Sequence, residues 1–255
     1  MDPVYRKALK VGLHEVGYHG KIKLSGILDA FQDASSEQSE SLGFSILDMI
    51  AKKFKVVVSR YHFKIHRFPV WGEEITVCTW RSGEFDGFGI REYQILDSHG
   101  RPQVSATGSF ALLDGQSRSR IPLTTFYSGY PIKPERALAD DFGPLQGPTK
   151  VSFERKFKVR RHDLDLNRHV NNTLFLEWAI ESIPDDIYMR CLPVEVEIRF
   201  RKEALFGDRI ISQSQTTGGG SDHTFAHRIL RAKDGEELTA LRTSWRRIGE
   251  MGGTA

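Results

Sequence analysis

Four sets of residues recur at one separation along this chain. Gly72-Glu73-Glu74-Ile75 matches Gly207-Asp208-Arg209-Ile210 (207 − 72 = 135), and at the same offset Gly83 matches Gly218, Gly100 matches Gly235, and Ser109-Phe110 matches Ser244-Trp245. Each match is weak alone; four at a single offset point to an internal repeat. Strand-like runs fill both halves: Lys55–Ile65, Glu74–Trp80, Gly87–Asp97 and Gln103–Leu113, then Val194–Phe200, Arg209–Gln215, Thr224–Arg231 and Leu238–Ile248. Turn chemistry separates those of the first half at Ser82-Gly83 and at Asp97–Pro102. A helical pattern precedes each meander. Ser25 opens a stretch to Ser39 with Ile27, Leu28, Phe31, Ala34 and Ser35 at helical spacing, and Asn171 or Asn172 caps a second helix with Leu174, Trp178 and Ala179 on one face. These helices align at an offset near 145, Ala34 against Ala179. A longer helix-to-strand connection around Gly43–Ile50 takes up the difference.

The expected architecture is α+β, with two helix-plus-antiparallel-meander copies. One copy alone leaves sheet edges exposed. Edge-to-edge pairing of the two would give one continuous sheet around two central helices. Strand-like runs at 5–20 and Val151–Arg160 open the copies, and Pro122, Pro131, Pro134, Pro144 and Pro148 punctuate the segment between them. The expected boundaries are 1–120, a linker over 121–150 with at most a short helical turn at Ala137–Asp141, and 151–255.

Composition narrows the function classes. Lys plus Arg number 36 against 33 Asp plus Glu, a balance of +3 that gives no reason to expect nucleic acid. Cys78 and Cys191, the only cysteines, build neither a disulfide framework nor a CxxC site, and are expected to be buried, inert thiols in a reducing compartment. No apolar run approaches membrane-spanning length, and Met1–Arg6 lacks an apolar signal core. A cytoplasmic enzyme or binding protein fits best. Gly218-Gly219-Gly220 lacks the Lys-Ser/Thr of a phosphate loop and reads as a hairpin turn.

Chemistry concentrates in Asp163-Leu164-Asp165-Leu166-Asn167-Arg168-His169-Val170-Asn171-Asn172, directly before the second helix. Carboxylates, amides and an imidazole there meet a helix N-terminus, whose unpaired N–H groups favour developing negative charge. Acyl transfer uses such parts: a general base, amide donors and an oxyanion site, including a backbone donor near Asn171–Thr173. His162, Asp163, Asp165 and His169 lack a third histidine or a cysteine cluster, so no metal is expected. Phe31, Phe44, Phe63 and Trp80 are candidates to line an apolar pocket, although ordinary core is the simpler reading of each.

Asp165-Leu166-Asn167-Arg168-His169-Val170-Asn171-Asn172, with Trp178 and Glu181-Ser182 downstream, closely resembles the active-site segment of the fatty acyl-ACP thioesterases, which are tandem double hot-dog proteins. The resemblance covers nearly the whole chain, including Gln32-Asp33-Ala34 and Gly72-Glu73. It implies hydrolysis of acyl-carrier-protein thioesters without a cofactor, and places the catalytic Asp, Asn and His on Asp165, Asn167 and His169. The family's catalytic Glu falls on Glu203, in Arg201-Lys202-Glu203-Ala204. Asn171, Asn172 and Trp178 become candidates for substrate binding. Plant members commonly carry Cys after that Glu; this chain has Ala204, which excludes a cysteine nucleophile there.

At the repeat offsets, Glu203 falls on Phe68, and Asp165, Asn167 and His169 fall near Gly20, Ile22 and Leu24. The first copy is therefore expected to have lost its acid–base groups and to shape the acyl pocket. Arg199, Arg201, Lys202, Arg242, Arg246 and Arg247 are candidates for a basic surface that docks the acidic carrier protein. Rival readings are an acyl-CoA thioesterase, a hydratase or dehydratase on the same fold, and a non-catalytic acyl-thioester sensor. A homodimer is left open.

Overall fold

The computed structural model describes residues 2–218 and 223–250, so Gly219 and Gly220 of the expected turn lie outside the described residues. The chain forms two compact units, Met1–Asp141 and Phe142–Ala255. The first contains β1 (Tyr5–Lys10), α1 (Leu24–Ser41), α2 (Ile46–Ala51), β2 (Phe54–Ile65), β3 (Glu74–Phe85), β4 (Phe88–Leu96), β5 (Pro102–Asp114), β6 (Arg120–Ile121) and α3 (Thr124–Tyr127). The second contains β7 (Phe153–Lys158), α4 (Asn172–Ile180), α5 (Asp185–Arg190), β8 (Cys191–Phe200), β9 (Arg209–Gly218), β10 (His223–Arg231) and β11 (Glu237–Arg247).

Strand order repeats. In the first unit it is β1-β3-β4-β5-β2, with β6 against β5; in the second it is β7-β9-β10-β11-β8, antiparallel throughout. The glycine markers fall where the backbone needs them. Gly72 and Gly207 have φ of 79° and 84°, and Gly100 and Gly235 have φ of 76° and 70°, a region that side chains with a Cβ rarely adopt. One expected turn is corrected. The β3–β4 hairpin closes at Asp86-Gly87, not at Ser82-Gly83; Gly83 instead sits at a register shift within β3.

Helix register is the second correction. Leu24 and Asn172 open α1 and α4 (172 − 24 = 148), and the bridge Val16–Ile22 has its counterpart in Leu164–Val170 at the same offset. The offset is 148, not 145, because the loop that feeds the helix is conserved in backbone form. Lys10-Val11 and His14-Glu15 therefore align with Lys158-Val159 and His162-Asp163. Much of the length difference lies in the helix itself, 18 residues in α1 and 9 in α4.

The apolar face of α1 (Leu24, Ile27, Leu28, Phe31, Ala34) is buried, and Phe31 stacks on Tyr93 at 4.7 Å and meets Phe63 edge-on. Phe31, Phe63 and Trp80 are buried, while Phe44 packs against the rings of Phe126, Tyr127 and Tyr130. The expected linker divides differently from the reading at 121–150. Leu123, Phe126, Tyr127 and Tyr130 join Met49, Phe110 and Leu112 in an apolar cluster of the first unit. The chain beyond them is tied down by Trp80 Nε1 donating to the Glu135 carbonyl and by Arg136 pairing with buried Glu92 at 2.7 Å. Bulky aromatic residues among the prolines hold this segment to the sheet. Thr149 in turn belongs to the second unit, its N–H donating to Gln215. No helix of the described residues is long and apolar enough to cross a membrane.

Candidate active site

The loop between β7 and α4 is built on its carboxylates. Buried Asp163 accepts from the Arg160 N–H (2.7 Å) and from the Arg160 guanidinium (2.8 Å), closing a short helical turn. Asp165 organises the next turn. Its N–H donates to the His169 carbonyl at 2.7 Å, and its Oδ1 accepts the N–H groups of Asn167 (2.8 Å) and His169 (3.2 Å). Asn167 Nδ2 lies 3.4 Å from Oδ2. Such a turn requires a left-handed residue, which here is Arg168 at φ 62°.

A second contact brings Glu203 in. The Val170 N–H donates to the Ala204 carbonyl at 3.0 Å, and His169 forms a bridge with Leu205. The loop is thereby joined to the segment that follows β8, and His169 Nε2 stands 3.3 Å from a Glu203 carboxylate oxygen, both groups partly exposed. Residues 34 positions apart in sequence meet because the backbone pairs on either side of them.

The other sequence candidates fall elsewhere. Asn171 caps α4, its Oδ1 accepting the Thr173 N–H at 3.2 Å, so that donor of the helix N-terminus is already taken. Asn172 is the first residue of α4. Trp178 is buried, stacked on Phe157 at 5.9 Å and edge-on to Phe175 at 5.4 Å, the position of a core residue. Ala204 is fully buried and has no side-chain chemistry to offer.

Two features escaped the sequence. Leu166, Leu205 and Phe206 are exposed beside the polar cluster, and the Arg161 guanidinium lies 5.5 Å from the centre of the Phe206 ring. The available signal was a pair of bulky apolar residues, Leu205-Phe206, directly before turn glycine Gly207. The basic surface is also altered: Arg242 pairs with Glu197, Arg201 with Glu237 at 3.0 Å, and Lys202 lies 3.8 Å from Glu236. These cations have carboxylate partners within their own sheet.

In the first unit the same loop backbone recurs without the same side chains. Gly17 N–H donates to the Lys21 carbonyl, Gly20 N–H to the Gly17 carbonyl and Ile22 N–H to the Pro69 carbonyl, each matching a bond around Asp165–Val170. Gly20, at φ 71°, stands where Arg168 stands. The counterparts of Asp165, Asn167 and His169 are thus Gly17, His19 and Lys21, which replaces Gly20, Ile22 and Leu24. Phe68 remains opposite Glu203. The first copy lacks both carboxylates, but it has not lost every titratable group, since His19 and Lys21 occupy two of the positions.

Comparison with known proteins covers both units. The acyl-ACP thioesterase N-terminal domain matches residues 2–125, and the acyl-ACP thioesterase C-terminal domain matches residues 146–247. An acyl-[acyl-carrier-protein] hydrolase of Cuphea viscosissima is 24% identical over 95% of this chain, which spans 62% of that protein's length. An oleoyl-acyl carrier protein thioesterase of Arabidopsis thaliana is 25% identical, also over 95% of this chain and over 76% of its own length. Among solved structures, the 12:0-ACP thioesterase of Umbellularia californica superposes with a TM-score of 0.87 at 24% identity, covering 96% of this chain and 94% of its own. An acyl-ACP thioesterase of Bacteroides thetaiotaomicron gives 0.83 at 14% identity, covering 96% and 98%. These structures share the fold, a tandem of two hot-dog units. With two consecutive domain models of one family accounting for most of its length, the chain belongs to the acyl-ACP thioesterase family.

Proposed function

We propose that the protein hydrolyses the thioester of a fatty acyl chain carried on acyl carrier protein, releasing the free fatty acid and the carrier thiol. The observation that carries this reading is the His169 Nε2–Glu203 contact at 3.3 Å, set beside Asn167 on a loop that Asp165 holds rigid. Glu203, polarised by His169, takes a proton from water; the resulting oxygen attacks the thioester carbonyl carbon. The Asn167 amide is the donor for the oxyanion. Collapse of the tetrahedral adduct expels a thiolate, which is a good enough leaving group to need little help from an acid. Asp165 is a positioning residue in this scheme, because its Oδ1 is occupied by two backbone N–H groups.

Exposed Leu166, Leu205 and Phe206 offer an apolar rim, and Arg161 and Arg168 offer cations, for the acidic carrier. This rim is a better docking candidate than Arg201 and Arg242, which already pair with carboxylates. The buried thiols of Cys78 and Cys191, not joined in a disulfide, support a reducing compartment such as the cytoplasm.

The test is a product assay against a panel of acyl carrier proteins differing in chain length, with matched acyl-CoA substrates alongside. Free fatty acid should appear, with kcat/KM higher for the carrier protein than for CoA. His169→Ala and Glu203→Gln should each lower kcat by about a hundredfold or more with the fold intact. Wild-type turnover in either variant would remove the assignment. Binding without turnover would instead favour a sensor.

A further inference from the structure

Two arginines lie buried side by side in the first unit, where the proposed hydrolysis does not use them. Arg81 of β3 and Arg91 of β4 are direct cross-strand partners, and only 2% and 5% of their surfaces reach solvent. Like charges placed directly opposite on one sheet repel, and burying a guanidinium without a counter-ion costs several kcal/mol. Arginine does not escape by losing its proton.

The neighbours supply polarity but little negative charge. Arg91 donates to Gln38 Oε1, to Thr79 Oγ1 at 3.3 Å and to the Tyr130 hydroxyl at 2.7 Å. Among the described residues no carboxylate lies within ion-pairing distance of it. Arg81 sits over the rings of Phe110, Tyr127 and Tyr130 at 5.2–5.7 Å, and its buried Nε has no hydrogen-bond partner. These rings favour a cation, and burial raises the Tyr127 phenol to about 12, so Tyr127 adds no negative charge at pH 7. Among the described residues the only carboxylate paired with Arg81 is Glu84, at 3.3 Å, and its side chain is 43% exposed. A half-exposed pair of that length is screened by solvent and offsets little of the burial cost. Counting Glu84 as a full counter-ion, the cluster is still short by one negative charge.

We propose that the Arg81–Arg91 pair binds one small monovalent anion, a halide or a carboxylate group, in the interior of the first unit. The unpaired Arg81 Nε–H points to where such an anion gains a donor. The Tyr130 hydroxyl accepts from Arg91 and lies 3.5 Å from Ser39 Oγ; with Ser39 as the donor there, its own proton can turn to the anion. Glu84 is the competing ligand: exposed and attached beside the Gly83 register shift, it can swing aside to admit the anion. This inference is independent of the hydrolytic reaction and of the residues assigned to it.

Full-length protein in a bulky organic sulfonate buffer, titrated with sodium chloride, sodium bromide or sodium acetate at constant ionic strength, tests it. Tm should rise with the logarithm of anion concentration above Kd, by about 3–5 °C at tenfold excess over Kd. The rise should vanish in Arg81→Met. A response to acetate but not to halides identifies a carboxylate site, and the converse a halide site. A crystal soaked in bromide should show its anomalous peak within hydrogen-bonding distance of both guanidiniums. If Arg81→Met does not fold, Tyr130→Phe takes its place and should weaken the anion response severalfold. Dependence of Tm on ionic strength alone, an unchanged response in the folded variant, or, where halides raise Tm, the absence of a bromide peak at the pair would overturn the proposal.

Discussion

At the scale of single residues, Asp165 and Glu203 separate two things a carboxylate can do. Asp165 Oδ1 accepts two backbone N–H groups, whereas Glu203 faces an imidazole from the segment after β8. Asp165→Asn keeps an oxygen acceptor where Asp165→Ala keeps none. The Asn variant is expected to retain roughly ten times the kcat of the Ala variant, the scale of one or two hydrogen bonds; kinetics with a circular-dichroism check of folding would measure it. Cysteine makes a second prediction. Cys78 and Cys191 are buried, and burial pushes the Cys78 thiol up. N-ethylmaleimide under native conditions should leave turnover unchanged, and Ala204→Cys should be nearly neutral in the same assay. Asp165, Asn167 and His169 stood out as candidates because few other arrangements place so much acid–base chemistry before a helix, whereas Glu203, 34 residues beyond His169, came only with the family resemblance. The distinction between holding a loop and reacting with substrate was not legible, because it depends on which lone pairs the backbone has already occupied. For Trp178, helical spacing marked a buried face, as observed, but did not say whether that face meets a ligand or Phe157.

Elements were read well wherever a backbone constraint forced a residue type. Gly72, Gly100, Gly207 and Gly235 sit at positive φ, so the strand offset of 135 survives in the sequence. The helix offset was lost because Arg168 occupies the left-handed position that Gly20 holds in the other copy, which hides the shared turn. A third prediction belongs here. The α4 N-terminus is capped by the Asn171 side chain, while Lys23 at the same place on α1 makes no side-chain cap. Asn171→Ala should cost about 1 kcal/mol, and Lys23→Asn should gain up to a similar amount, both read from denaturant midpoints at constant m.

For the molecule as a whole, acid should be the weak side. His227 is completely buried on β10 and bonded to Thr243 Oγ1 at 2.8 Å. Burial holds its pKa down from 6.5 to about 3. The unfolded chain therefore binds a proton that the folded chain refuses. The contribution of His227 is complete above pH 6.5 and is lost as pH falls from there towards 3, with a slope of at most about 1.4 kcal/mol per pH unit. Urea midpoints measured across this range should decline, and His227→Gln should flatten the decline. A slope unchanged in the variant would assign acid lability to other groups.

The repeated loop has one more consequence. Since the hydrogen-bond pattern around Gly17–Ile22 matches that around Asp165–Val170, the molecule carries its own blank: one scaffold with the proposed reacting groups and one without. Any turnover due to backbone dipoles alone is available at both loops, while turnover that needs His169 and Glu203 arises at one. Transplanting aspartate, asparagine and histidine into the blank, by Gly17→Asp, His19→Asn and Lys21→His, isolates the missing partner, because Phe68 still denies that loop its glutamate. The activity such a chimera fails to gain measures how much of the chemistry resides in the residue farthest away in sequence.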